Sequence, residues 1–418
     1  MTSMWIGHLL FVVIADPVVG ETVLKTYLEK SVIMRFVREI IGNGSIFAPV
    51  PIWRPRRKIL APTFSPKNLT QFVDIFAKQS SIMTDFLKPR VGNGPFSIWH
   101  YFTTYSMDSV CESTLGVKVD AQNNHNHQFL KSFDEGAQLM AKRVIRPWLH
   151  SSVIYQLLPS YHSLQKCKRY IEGFIDDVCF DILIQKYKRE NFKTFLELLM
   201  ESSGGERGYS NDELREETTV LVMAGTDTSA VGAAFTTLMM SRHPDIQEKV
   251  YEELKEVFGD STREVTPEDL SRLKYLDAVI RESLRLYPPV PMIVRHCEHD
   301  MMLPSGVELV KGCVLLVSIW ALHRNPAYWG ADAEQFRPER FLTPLMHPAQ
   351  FMPFSYGPRN CLGYQYAMMS MKTAMATLLR RYRVLPDSDH HKPLRVKFNI
   401  MMKDVDNFTV RLENRNVM

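Results

Sequence analysis

A chain of 418 residues that is 45% hydrophobic and 11% aromatic can bury a large core, which excludes a disordered or low-complexity polymer. A net charge of +4 is too small to imply a nucleic-acid partner by itself. The six cysteines (Cys111, Cys167, Cys179, Cys297, Cys313 and Cys361) are scattered with no CxxC pair, so a disulfide framework is excluded and a reducing compartment is indicated. The length would suit two or three average domains or one large one, and no linker, repeat or biased segment divides it.

In chain order, the apolar run from Trp5 to Ala15 lacks a basic leader, contains His8 and is followed by Asp16-Pro17. It reads as a buried strand and a turn, and it is too short to span a bilayer. In WRPRR, Trp53 and Arg57 lie four apart and share a helix face. Pro55 is tolerable only in a first turn, so this helix is expected to begin close to Trp53. On residues alone the segment is an aromatic packing position on a solvated basic helix. From about Asn93 to Lys193 the pattern is helical without a defensible site. His125 and His127 fall in the polar run AQNNHNH, a surface loop. Phe129, Phe133, Met140 and Trp148 read as core, with pocket lining as the alternative.

A capping box at Ser210 and Glu213 opens a long helical pattern that His243-Pro244 ends. At 1.5 Å per residue it would run roughly 46 Å, enough to span a membrane. Between Thr218 and Met240 its only charged residue is Asp227. The polar group Thr226, Asp227, Thr228 and Ser229 at mid-length favours a helix through a protein core, because an unpaired carboxylate in lipid is expensive. Gly225 permits a local opening there. In KYLDAVIRESLRLYPPVP, Glu282 and Arg285 share a face at i and i+3 before Pro288-Pro289. Arg295 follows on an extended segment. The cluster HCEH, His296 to His299, matches no usual zinc spacing, since adjacent ligands on an extended chain point apart. Strand signals recur at Val307 to Val317 and Val396 to Leu412. His323 is read as structural, and FRPERF spans Phe336 to Phe341.

The stretch FSYGPRNCLG, Phe354 to Gly363, precedes an apolar stripe at Ala367, Met368, Met371, Ala374, Met375, Leu378 and Leu379. Cys361 therefore lies at a helix N-terminus, where backbone N–H groups and the dipole favour a thiolate. A thiolate so placed can ligate haem iron. Gly357 and Gly363 would let backbone approach a flat macrocycle, Arg359 could bind a propionate, and Phe354 could shield the sulfur.

The spacing F-x-x-G-x-R-x-C-x-G resembles the haem-binding signature of the cytochromes P-450. AGTDTSA at Ala224 to Ala230, E-x-x-R at Glu282 to Arg285 and PERF ending at Phe341 occur in the family's order. The resemblance implies one mainly α domain over residues 1–418 with small β-sheets, haem lying between the long central helix and the helix after the cysteine loop. It implies haem b ligated by Cys361, with Trp53, Arg57, Ala224, Gly225, Arg295, Phe354, Gly357, Arg359 and Gly363 around it. Asp227 and Thr228 would relay protons to dioxygen. Glu282, Arg285 and Arg340 would form a buried charged cluster that locks the cysteine loop.

The implied activity is insertion of one oxygen atom into an apolar substrate, with electrons from NADPH through a flavoprotein reductase and cytochrome b5 as a further partner. Arg54, Arg56, Lys58 and Lys372 are candidates for a basic docking surface. Likeness to insect members of the fatty-acid ω-hydroxylase clan implies a membrane surface on the cytosolic face of the endoplasmic reticulum. Ala224 stands where many of that clan carry a Glu able to esterify haem, so that link is not expected. The chain is also expected to lack the usual anchor, hinge and first helix. A non-catalytic haem-binding protein and an inactive remnant are the rival readings.

Overall fold

The computed structural model describes residues 1–124, 127–185, 210–303, 305–387 and 393–415. His125 and the stretch from 186 to Lys193 fall outside them.

The opening apolar run is two strands. Strands β1 (Thr2–Ile6) and β2 (Leu9–Ile14) form an antiparallel hairpin. At the edge of its sheet, β1 has no second neighbour among the described residues, and Trp5 is 69% exposed, which corrects the expectation of one buried strand. Asp16-Pro17 begins a helix, α1 (Pro17–Thr26), because the Asp16 carboxylate accepts the Val19 N–H at 3.0 Å and proline suits the first helical position. After α2 (Arg35–Ile41), helix α3 (Val50–Leu60) starts three residues before Trp53. Pro55 thus sits in its interior. Pro51 and Pro55 are both exposed, so water can serve the carbonyl that proline leaves unbonded.

Three long helices make the core's frame with a fourth against them: α4 (Pro66–Leu87), α5 (Trp99–Val110), the central helix and the helix after the cysteine loop. Strand β3 (Phe96–Ser97) precedes α5, while α6 (Gln128–Ile145) and α7 (Pro159–Gln185) pack on one another beside the central helix. The central helix, α8, runs Asn211–Arg242 with the Ser210 and Glu213 capping box formed. From Glu217 to Ser241 most of its residues are buried, because other helices and short strands pack around it. None of the helices among the described residues is long and apolar enough to cross a membrane, and the core reading of α8 rests on its burial.

Helices α9 (Pro244–Phe258) and α10 (Lys274–Leu286) lead to β4 (Met292–His296), which contains Arg295 as expected of an extended segment. Short β5 (Met301–Met302) and β6 (Glu308–Leu309) pair with each other. Strand β7 (Val314–Ser318) lies parallel to β2 and antiparallel to β4, giving the sheet order β1-β2-β7-β4. Helix α11 (Tyr364–Arg381) follows the cysteine loop. Strands β8 (Tyr382–Pro386), β9 (Val396–Asn399), β10 (Met401–Asp404) and β11 (Thr409–Asn414) close the chain, β11 pairing with β8 and β3. The largest buried cluster joins Phe102 and Tyr105 of α5, Phe235 of α8, Ile280 and Leu284 of α10 and Met375 and Leu378 of α11. This is a mainly α protein with small separate sheets.

Candidate active site

A cavity of about 430 Å³ lies between α8 and the cysteine loop. Apolar side chains form most of its wall, among them Phe64, Val110, Phe133, Met140, Val220 and Phe398. Cys361, Phe354, Gly363, Trp53, Arg57, Arg295, Arg359, Ala224, Gly225 and Thr228 border the same space. Segments up to 310 residues apart in sequence therefore converge as the motif order implied.

The cysteine loop is held by its own backbone, Cys361 N–H to the Phe354 carbonyl at 2.8 Å. The exposed surface of Cys361 faces the cavity rather than bulk water. Burial pushes its thiol up, while the Gly363 N–H and Arg57 pull it down. The helix-terminus effect is present, but desolvation outweighs it. A stable thiolate here needs a cation directly on the sulfur, which a coordinated metal provides.

Four cations gather beside the sulfur loop. Arg295 is fully buried, its Nη1 donates to the Val294 carbonyl at 3.0 Å, and its Nε and Nη2 have no partner among the described residues. Burial first and Arg359 second lower its pKa to about 9. Lys30, also on the cavity wall, is held well below its usual value by burial, then by Arg295 and Arg359. A buried guanidinium with two unpaired nitrogens among other cations is costly, so Arg295 and its neighbours suit an anionic partner. The two propionates of a haem have that chemistry, and the residues present fit the group. Nothing in the sequence around Lys30 distinguished it from a surface lysine.

The other expected contacts divide. Arg57 donates both terminal nitrogens to Asn360, to its backbone carbonyl and its side-chain oxygen, each at 2.6 Å. Arg359 stacks on the Trp53 ring at 4.7 Å and donates to the carbonyls of Leu28 at 2.9 Å and Ala48 at 2.8 Å. Its fork thus pins backbone while the residue also borders the cavity. Gly357 has φ of 75°, and a Cβ there would lie 2.7 Å from the Leu24 carbonyl oxygen. It meets α1 rather than a macrocycle. A Cβ on Gly225 would lie 2.6 Å from Val110, so its small size admits α5 rather than opening space.

On α8, Thr228 borders the cavity and its hydroxyl donates to the Ala224 carbonyl at 2.6 Å. Asp227 points elsewhere: its carboxylate is buried against the Lys403 ammonium of β10, which lies over the Trp99 ring at 3.5 Å. Adjacent residues on a helix diverge by about 100°, and the structure separates the alcohol from the acid accordingly.

Glu282, Arg285 and Arg340 do meet. Arg285 binds both Glu282 oxygens, at 2.6 and 2.8 Å, and neither residue is exposed. Arg340 Nε is 3.5 Å from Glu282 without a hydrogen bond, and its other nitrogens bind the Trp329 and Asp332 carbonyls. His323 carries the connection onward. Its Nδ1 donates to the Arg285 carbonyl, and its Nε2 accepts the Met352 N–H, each at 3.0 Å, two residues before Phe354.

Of the pocket candidates, Phe133 and Met140 line the cavity, Phe129 is core and Trp148 is 64% exposed. Arg54 and Lys58 are exposed, whereas Lys372 is buried against the Leu270 carbonyl and Asp277 and Arg56 is buried among glutamates. Those two cannot serve a surface. Among the described residues no group of three or more His, Cys, Asp or Glu could hold a metal.

The sequence matches the family model described as Cytochrome P-450 over residues 1–410. Cytochrome P-450 4V2 of Mus musculus is 30% identical over 99% of this chain and 82% of its own length. Cytochrome P-450 4d2 of Drosophila melanogaster is 32% identical over 91% of this chain and 80% of its own. Cytochrome P-450 4c21 of Blattella germanica is 31% identical, over 91% and 79% respectively.

Proposed function

The chain belongs to the cytochrome P-450 family and is a monooxygenase of that type, and on that premise we propose that it oxidises an apolar organic substrate with electrons passed from NADPH by a flavoprotein reductase. One observation carries this reading: a cysteine, a helix alcohol and a set of buried cations border a single apolar cavity. Haem b bound there supplies dioxygen activation, which an electron-donating sulfur ligand favours.

Each of the chain's own groups has a task. Cys361 ligates the iron, while Arg295 and Lys30 hold the propionates and are relieved of their mutual repulsion. Trp53 and Arg57 act one step back, through Arg359 and Asn360. Phe64, Phe133, Met140 and Phe398 exclude water and contact substrate. The Thr228 hydroxyl, turned from the Ala224 carbonyl, can donate a proton into the cavity. Asp227 serves first as the counter-charge of Lys403.

We also assign a membrane surface, as expected of a protein on the cytosolic face of the endoplasmic reticulum. Ile145, Trp148, Val153, Ile154 and Leu157 are exposed, Leu157 by 81%. Lys142, Arg146, Lys166, Lys168 and Arg169 flank them, and no acidic residue occurs between Glu135 and Glu172. Apolar and basic side chains together suit an anionic bilayer.

The test is the reduced, carbon-monoxide-treated difference spectrum of haem-loaded protein, followed by NADPH-dependent oxygen use with a reductase. A red-shifted Soret band abolished by Cys361→His, with oxygen consumption, is expected. A normal band without oxygen use would favour a non-catalytic haem carrier.

A further inference from the structure

The loop of residues 42–48, between α2 and α3, forms part of the cavity wall through Ser45, Ile46 and Phe47. Its backbone lies directly on α8. A Cβ on Gly44 would sit 2.3 Å from Val220 and 2.6 Å from the Glu216 carbonyl oxygen, and one on Gly42 would sit 2.4 Å from the Glu216 carboxylate. Such contact is possible only while the loop stays where it is.

Two sets of polar contacts keep it there. From α8, Glu216 accepts the Asn43 N–H at 2.8 Å and Glu217 accepts the Ser45 hydroxyl at 2.6 Å. Arg56 of α3 ties both elements together. Its Nη1 donates to the Asn43 carbonyl and to Glu217, and its Nη2 to Glu213, each at 2.9 Å. From the opposite side, Arg359 of the cysteine loop donates to the Ala48 carbonyl. Arg56 and Glu217 are both almost fully buried, while Glu213 and Glu216, which share the same guanidinium, reach the surface. Burial pushes the Glu217 carboxyl up while Ser45 and Arg56 pull it down.

A buried arrangement of this kind is a poor way to gain stability alone, since apolar side chains of similar volume would often do better. Its contacts are directional, and they converge on one short loop. We propose that Arg56 is a positioning residue that, through Glu217 and Ser45, latches the 42–48 loop onto the central helix and so sets the shape of the substrate cavity. The latch acts on the wall, leaving the cysteine and the cation group in place. This inference rests on the haem-monooxygenase reading of the same cavity.

The probe is 1-dodecylimidazole against imidazole. Both ring nitrogens bind the iron, but only the alkyl tail must lie along the wall. Ser45→Ala removes one hydrogen bond to a carboxylate, Arg56→Gln removes the charge, and Gly44→Ala lifts the loop while keeping every charged group. In each haem-loaded variant the tail's affinity advantage over imidazole should fall about tenfold, the imidazole affinity itself staying near the parental value. Arg56→Lys should restore part of the advantage. Hydrogen exchange at amides 43–48 should quicken in the same variants, while the carbon-monoxide spectrum stays parental. Parental affinity ratios and exchange in Ser45→Ala and Gly44→Ala would overturn the latch. So would an Arg56→Gln protein that loses haem but keeps the parental ratio in its loaded fraction. If the parental protein shows no imidazole spectrum at all, the haem reading fails instead.

Discussion

Arg285→Ala tests the connection between the buried charge cluster and the cysteine loop. The substitution removes hydrogen bonds to both Glu282 oxygens and to the carbonyls of His323 (2.8 Å), Ala333 (2.6 Å) and Gln335 (3.1 Å). Glu282 keeps the Arg337 N–H at 2.8 Å and Arg340 at 3.5 Å, insufficient compensation for a carboxylate with no exposed surface. Breaking a buried pair costs about 3–5 kcal/mol, and each stranded carbonyl adds about 1 kcal/mol. Against a total stability of about 5–15 kcal/mol, the variant should yield little folded protein. The loss reaches the site because Arg285 Nη1 holds the His323 carbonyl, and the His323 ring holds the Met352 N–H before the loop. Arg285→Lys keeps the charge and loses the fork. It should fold with a midpoint lowered by about 5 °C and with reduced haem per folded molecule. Haem content and thermal unfolding are the assays. If Arg285→Ala reaches parental yield, haem content and midpoint, the cluster does not support the loop.

Asp227→Asn strands the buried Lys403 ammonium and should destabilise the fold by about 3–5 kcal/mol, whereas Thr228→Ala should leave stability within about 1 kcal/mol. Thr228→Ala should instead lower the fraction of consumed oxygen that appears in product by at least about tenfold; equal behaviour of the two variants would refute the division of roles. Burial, with Arg285 and Arg324 nearby, lowers the His323 pKa to about 3. The unfolded chain therefore binds a proton near pH 6.5 that the folded protein refuses, and stability should fall with pH from there to about 3, by at most about 1.4 kcal/mol per unit. His323→Asn, measured by denaturant titration, should lose that part of the slope; an unchanged slope would show that other groups set it. Leu157→Asp should weaken sedimentation with phosphatidylserine vesicles about tenfold or more, and undiminished binding would place the membrane surface elsewhere.

Local chemistry was legible without coordinates. Ser210 and Glu213 announced the start of the central helix, His243-Pro244 its end, and the stripe after Cys361 the helix that follows the cysteine loop, because capping and turn chemistry act between neighbours. The buried Glu282–Arg285 pair was readable only from its company with the other motifs. Exposed and buried pairs look alike at i and i+3.

The sequence by itself determined the family, the order of the helices and the identity of the sulfur, since these depend on residues close in the chain or on motif order. Tertiary structure alone decided where each charge points. Lys403 claims Asp227 across 176 positions, Arg56 leaves the surface for Glu217, and Lys30 and Arg295 share one wall. A polar side chain buried far from water takes whatever partner the packing brings within about 3 Å, and no local pattern encodes which one that is.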